Sequence, residues 1–289
     1  ISFLSDTICA GRGAGTRGGV EAAAWIARKF DKAGLMKFGD TWSKTAISSN
    51  GTACHNVIGF LPGNSKDHRN SYIIIGAHFD HLGTIGEKFY PGADANASGV
   101  VALTSLAEML SMTRSIGKTY GSNIIFVGFD GYEMDMAGSY GLWNMISEGR
   151  LTDPVSGKAI TRSQIGLMIN IDQIGSSLSP LSSDRRDYII MLGTSSLAKD
   201  RREFLQQCNV ETGLGMDIGL DYYGSQNFTD IFYRLSDQRI FVDNKKPAVL
   251  FTSGITMNNN KTWDRTENLN LEIYHKRINL MYHWIEKML

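Results

Sequence analysis

The stretch Tyr72-Ile73-Ile74-Ile75-Gly76-Ala77-His78-Phe79-Asp80-His81-Leu82-Gly83 constrains the fold more than any other, because an apolar run ends abruptly in ionisable side chains. A run without polar alternation suits a strand covered on both faces, as in the middle of a parallel sheet. His78 and Asp80 then stand at its carboxyl end, the edge at which open α/β sheets place their ligands. Residues two apart on a strand point to the same side, so the two can touch. A carboxylate beside an imidazole is the usual device for fixing the tautomer of a metal-binding His. Taken alone, the stretch fits equally well a His and an Asp in a surface loop after a core strand.

Strands and helices alternate along the rest of the chain. Apolar runs predict strands over residues 55–63, 123–129, 165–171, 188–192 and 247–254. The first of these closes on Pro62-Gly63 and is expected to neighbour the 72–78 strand. Helical spacing marks residues 21–35, 100–112, 140–147, 197–208 and 269–288. Residues 211–236, with Tyr222 and Tyr223, lack a clear period and read as a long surface loop near the cleft. Gly11-Arg12-Gly13-Ala14-Gly15-Thr16-Arg17-Gly18-Gly19 reads as a loop, since no strand precedes it and no Lys-Ser/Thr pair follows as in a phosphate cradle. This pattern is an α/β fold with a doubly wound, largely parallel central sheet flanked by helices. With no repeat, low-complexity tract or linker, residues 1–289 are expected to form one domain.

Composition removes several functions. Lys plus Arg equals Asp plus Glu, 29 each, so there is no basic field for nucleic acid. No apolar run approaches the roughly 20 residues that span a bilayer. The chain opens on Ile1 rather than Met, which points to a processed or trimmed protein from which an export signal would already be gone. Cys9, Cys54 and Cys208 are too few and too scattered for a disulfide framework or zinc knuckle. A Cys9–Cys54 bridge stays open, but buried free thiols are the expectation.

Acidic residues crowd the strand ends. Pro91 to Gly99 runs into a helix with Asp94 just before its amino terminus, Glu133 follows the 123–129 strand, and Asp172 follows the 165–171 strand. Asp94 also suits a plain helix-capping turn. Three carboxylates and the His78 imidazole on one sheet edge would repel unless a cation sat among them, and a divalent metal is the simplest neutraliser. Zinc suits a mixed His and carboxylate set, and a bridging carboxylate allows two metals roughly 3.5–4 Å apart.

These motifs, with Asn170-Ile171-Asp172-Gln173-Ile174-Gly175, Phe251-Thr252-Ser253-Gly254 and Trp263-Asp264-Arg265-Thr266, resemble the two-zinc aminopeptidases. Relatives of that family include glutamate carboxypeptidase, glutaminyl cyclase and the transferrin receptor. The resemblance covers nearly the whole chain and implies a zinc-exopeptidase-like domain acting on peptides, secreted or periplasmic. It implies that His78, Asp94 and Asp172 hold one metal, that Asp94 bridges to a second held with Glu133, and that Asp80 orients His78.

Two departures qualify it. The family pattern has two consecutive glutamates after the strand, the first a general base, and here the pair is Tyr132-Glu133. A phenol with an ordinary pKa near ~10 is protonated at neutral pH and cannot take a proton from water as a carboxylate does. The last ligand, a His four residues before the Asp of the Trp-Asp pair, is replaced by Asn260, whose amide oxygen is a weak ligand for zinc. His55, His68, His81, His275 and His283 are not expected to replace it. One zinc is therefore expected, with the second doubtful and hydrolysis weak or lost. A non-catalytic peptide- or partner-binding relative is the alternative, and a glutaminyl cyclase-like activity a weaker one.

Overall fold

The computed structural model describes residues 1–66, 70–177, 187–222 and 224–289, so His68 and Tyr223 lie outside the described residues. The strands are β1 (Met36–Lys37), β2 (Ser43–Ile47), β3 (Ala53–Leu61), β4 (Tyr72–His78), a small hairpin β5 (Thr84–Ile85) and β6 (Lys88–Phe89), β7 (Asn123–Phe129), β8 (Ile165–Ile171), β9 (Tyr188–Leu192), β10 (Asp217–Gly219) and β11 (Ala248–Thr252). The helices are α1 (Arg17–Lys32), α2 (Gly99–Ser115), α3 (Ala137–Ser147), α4 (Phe204–Thr212), α5 (Gln226–Tyr233), α6 (Arg239–Asp243) and α7 (Leu271–Met288).

The main sheet runs β1-β3-β7-β4-β8-β11-β9-β10, with β2 also on β3. Its centre, β7-β4-β8-β11, is parallel. Antiparallel pairing begins where β3 meets β7 and where β9 meets β11. Every residue of β4 is buried, which is why it carries no polar alternation. Ile73, Ile75 and Ala77 face a core shared with Ile26 and Phe30 of α1, Leu103 of α2 and Trp284 of α7. Tyr72 and Ile74 face the other side, toward Leu142 and Trp143 of α3 and Phe241 of α6. The period of two thus divides one strand between two cores, which makes the sheet doubly wound.

Three expectations are corrected. β3 and β4 are not neighbours, because β7 lies between them, antiparallel to one and parallel to the other. The helix placed at residues 197–208 begins only at Phe204, since Lys199 to Glu203 offers no apolar residue to bury and makes a short tight turn instead. Residues 211–236 are not all loop: they hold β10 and α5, where Phe232 stacks on Tyr222 with ring centroids 4.1 Å apart.

The glycine run serves packing. Gly11 has φ +71°, and a Cβ there would lie 2.5 Å from the carbonyl oxygen of Gly83, so only glycine allows the two segments to touch. That contact buries Arg12 completely, and its guanidinium donates to the carbonyls of Leu4, Phe79, Pro91 and Gly92 at 2.6–2.8 Å. Thr16 then caps α1, its Oγ1 accepting from Gly19 N at 3.2 Å. Cys9, Cys54 and Cys208 are buried free thiols. Among the described residues no helix is long and apolar enough to cross a membrane.

Candidate active site

His78 closes β4 and Asp172 follows β8, its parallel neighbour, so the two side chains meet at one sheet edge. His78 Nε2 lies 3.3 Å from Asp172 Oδ1, and both residues are buried. Ser236 donates to Asp172 Oδ2 at 2.7 Å, and Asn170 donates at 2.8 Å both to that hydroxyl and to Gln238 Oε1. Burial alone would pull the His78 pKa down, but the charges of Asp172 and Asp80 more than reverse it and push it up to about 9. Burial works the other way on Asp172, yet His78 and Ser236 hold its pKa below the usual value. At neutral pH the pair is therefore imidazolium and carboxylate.

Asp80 reaches His78 differently than expected. Its carboxylate Oδ1 is 3.8 Å from His78 Nδ1, beyond hydrogen-bond range, while its backbone carbonyl accepts that nitrogen's proton at 3.1 Å. The carboxylate instead accepts the N–H groups of Tyr132 and Glu133 at 2.9 and 3.1 Å, which fixes the turn after β7. Burial pushes the Asp80 pKa up to about 7.

That turn lays the Tyr132 ring on the His78 imidazole, with centroids 4.0 Å apart and planes 14° from parallel. The hydroxyl donates to the carbonyl of Leu235 at 2.8 Å. Burial and the nearby charge of Asp172 raise the Tyr132 pKa further above the phenol range, so the proton stays. Glu133 lies 3.5 Å from His81 Nδ1. His81, not expected among the ligands, is thus part of the same edge; its ring is buried, and burial lowers its pKa against the opposing pull of Glu133.

Asp94 does not join these pairs. Its Oδ1 accepts from Gly175 N at 2.8 Å and Ser98 Oγ at 3.2 Å, while Asp264 takes the N–H groups of Asp94 and Ala95 at 2.9 and 3.0 Å. Glycine at 175 permits this approach, since a Cβ there would stand 3.1 Å from Asp94 Oδ1. Asp264 thus pins the turn before α2, and burial pushes its pKa up to about 6. Asn260 is exposed, in a turn with φ +57°.

Of the expected ligands, His78 and Asp172 pair with each other, Glu133 stands by His81, Asp94 has one oxygen engaged by Gly175 and Ser98 and the other buried without a partner, and Asn260 is exposed. Among the described residues no three His, Cys, Asp or Glu side chains group so as to hold a metal ion. A zinc site takes at least three protein ligands, and beside the His78–Asp172 pair the described residues offer Asp94 Oδ2, buried without a hydrogen-bond partner, as a further unengaged donor atom. Sequence reasoning also missed Ser236, Asp237 and Gln238. Asp237 is fully buried, and burial pushes its pKa up to about 6 against the opposing pull of the His78 charge and a hydrogen bond from Ser139. The only signal was a short polar run, Ser236-Asp237-Gln238, ahead of an apolar segment.

No curated protein matches the chain. Among solved structures it is similar to LapB from Legionella pneumophila, with TM-score 0.70 and 19% identity over 99% of this chain and 70% of that one. A zinc aminopeptidase from Bacillus subtilis gives TM-score 0.71 and 13% identity over 99% and 93%. The glutaminyl cyclase of Macrostomum lignano gives 0.69 and 17% over 99% and 87%. At such identities these likenesses establish the α/β fold with its central sheet flanked by helices. The model of peptidase family M28 matches residues 56–285, a span that holds β4, β7, β8, β11 and their strand-end residues, and the chain belongs to that family.

Proposed function

We propose that this chain uses the peptidase scaffold as a peptide-binding cleft, with hydrolysis weak or lost. The posture of Tyr132 carries the reading. At the position where the resemblance places a general base stands a phenol that keeps its proton, lies flat on His78 and gives its hydroxyl to Leu235. Losing general-base help typically lowers a rate by roughly 10²- to 10⁴-fold. One zinc or none is expected per chain, because His78 and Asp172 supply two ligands and His78 must first give up its proton. Peptides are the ligand class that a peptidase family implies. A secreted or periplasmic location belongs to the proposal and rests on the resemblance.

Purified protein supplied with zinc should hydrolyse aminoacyl anilides poorly or not at all while short peptides still bind in calorimetry. Elemental analysis should find no more than one zinc per chain. Zinc-dependent turnover at ordinary peptidase rates, abolished by Asp172→Ala, would overturn the loss of hydrolysis. Absence of peptide binding would overturn the role of the cleft.

A further inference from the structure

Tyr132 is tied at both ends. Its backbone N–H, with that of Glu133, is held by the Asp80 carboxylate at 2.9 and 3.1 Å, so the turn after β7 stays in place. Its hydroxyl donates at 2.8 Å to the carbonyl of Leu235, 103 residues along the chain in the segment between α5 and α6. That far anchor is fixed as well, because the adjoining Ser236 donates to Asp172 Oδ2 at 2.7 Å and accepts from Asn170 at 2.8 Å. In the sheet order β7-β4-β8, the side chain therefore starts beyond the first strand, crosses His78 at the end of the second, and reaches a segment bonded to Asp172 after the third.

The ring covers one face of the imidazole, with centroids 4.0 Å apart, and His78 is only 2% exposed. The bond at the tip of the ring is of another kind. Leu235 is 47% exposed, so water competes there for both the hydroxyl and the carbonyl. With the backbone of the turn held by Asp80, the ring can leave by rotation about its own side-chain torsions, a motion that needs no rearrangement of the loop.

We propose that Tyr132 is a latch over the His78–Asp172 pair, closed in this structure and swung aside to admit a peptide. A ligand reaches the covered face of the imidazole only after the bond to Leu235 has broken and the ring has turned away. The latch stands on the geometry alone; the peptide as the group it admits rests on the proposed peptide-binding function of the cleft.

Tyr132→Phe keeps the ring and removes the bond at its tip. Exchange of the His78 ring C2 proton for deuterium, followed in the whole protein by peptide mapping and mass spectrometry, needs no ligand. The substitution changes no charge, so at one pH the ratio of rates reads access to the imidazole. A hydrogen bond of ordinary net strength shifts an opening equilibrium by a factor of roughly 2–10, and exchange of His78 should quicken by that factor while that of the exposed His275 stays the same. Tyr132→Ala, which removes the ring as well, should quicken it at least as far. Short peptides should associate with Tyr132→Phe faster by a similar factor in stopped-flow measurements, with dissociation unchanged. Unchanged exchange of His78 in either variant would overturn the latch. Faster exchange with unchanged peptide association would overturn its part in admitting peptides. If neither wild type nor variant bound peptide, the peptide-binding function would fall, and the His78 rates would still decide the latch.

Discussion

His78 and Asp172 set the pH response of the site edge. The folded His78 pKa of about 9 lies above the ordinary value near ~6.5, so its stabilisation is complete below about pH 6.5 and is lost as pH rises through 9. Asp172, held below its ordinary value, contributes above about pH 4 and loses that contribution on acidification. Asp172→Asn should therefore cost about 3 kcal/mol at pH 6, the order expected when one partner of a buried pair is removed, and much less at pH 10. Urea unfolding at the two pH values reads the difference; an equal loss at both would show that the pair is not ionic. Asp237 has the opposite character. Its pKa is raised to about 6 by burial, so the folded state holds its proton more tightly and stability falls as pH climbs from about 4 through 6. Asp237→Asn should stabilise the protein at pH 8 by about 2–3 kcal/mol and leave it nearly unchanged at pH 4. A destabilised variant at pH 8 would mean that the charged carboxylate has a partner.

Among the elements, the Thr7–Arg12 turn bears more weight than its composition suggests. Arg12→Lys keeps the charge but cannot reproduce a fork of donors aimed at four carbonyls. A loss of about 3 kcal/mol or more is expected in denaturant unfolding, since several buried acceptors lose their donors together. A lysine variant of unchanged stability would show that the four carbonyls find other donors. Nothing in a run of glycines announces this, because the signal is the convergence on Arg12 of Leu4 with Phe79, Pro91 and Gly92, the last three distant from it in the chain. The strands were more legible. β7, β8 and β9 coincide with their apolar runs, since burial on both faces leaves a continuous local signature. Their lateral order was not legible: pairing is a long-range choice, and β7 entered between β3 and β4. At the site, His78 and Asp172 are anchored on strand ends and meet there. The places of Asp94 and His81 were less legible, because each sits in a turn whose direction is set by partners elsewhere, Asp264 and Gly175 for one, Arg12 for the other.

For the whole molecule, protection should follow the sheet's build from centre to edges. β4 has parallel neighbours on both sides and is buried throughout, while β1 and β10 are short and lie at the two ends of the order. Amide exchange should be slowest in β4, β7 and β8, approaching the rate of global unfolding, and fast in β1 and β10. Rapid exchange in β4 under native conditions would contradict this gradient.

The same strand order imposes a schedule on a chain that is made from its amino terminus. By the time β7 has been synthesised, β1, β2, β3 and β4 all have the partners that link them into one block. β9 is in the opposite position: its two neighbours, β10 and β11, begin only at residues 217 and 248. Until then Tyr188–Leu192 emerges as an apolar strand with no edge to pair with, and it is β11 that joins it to β8. During translation the second half of the sheet must therefore wait, and a stall between these strands would leave Tyr188-Ile189-Ile190-Met191-Leu192 as the segment that a chaperone has to cover.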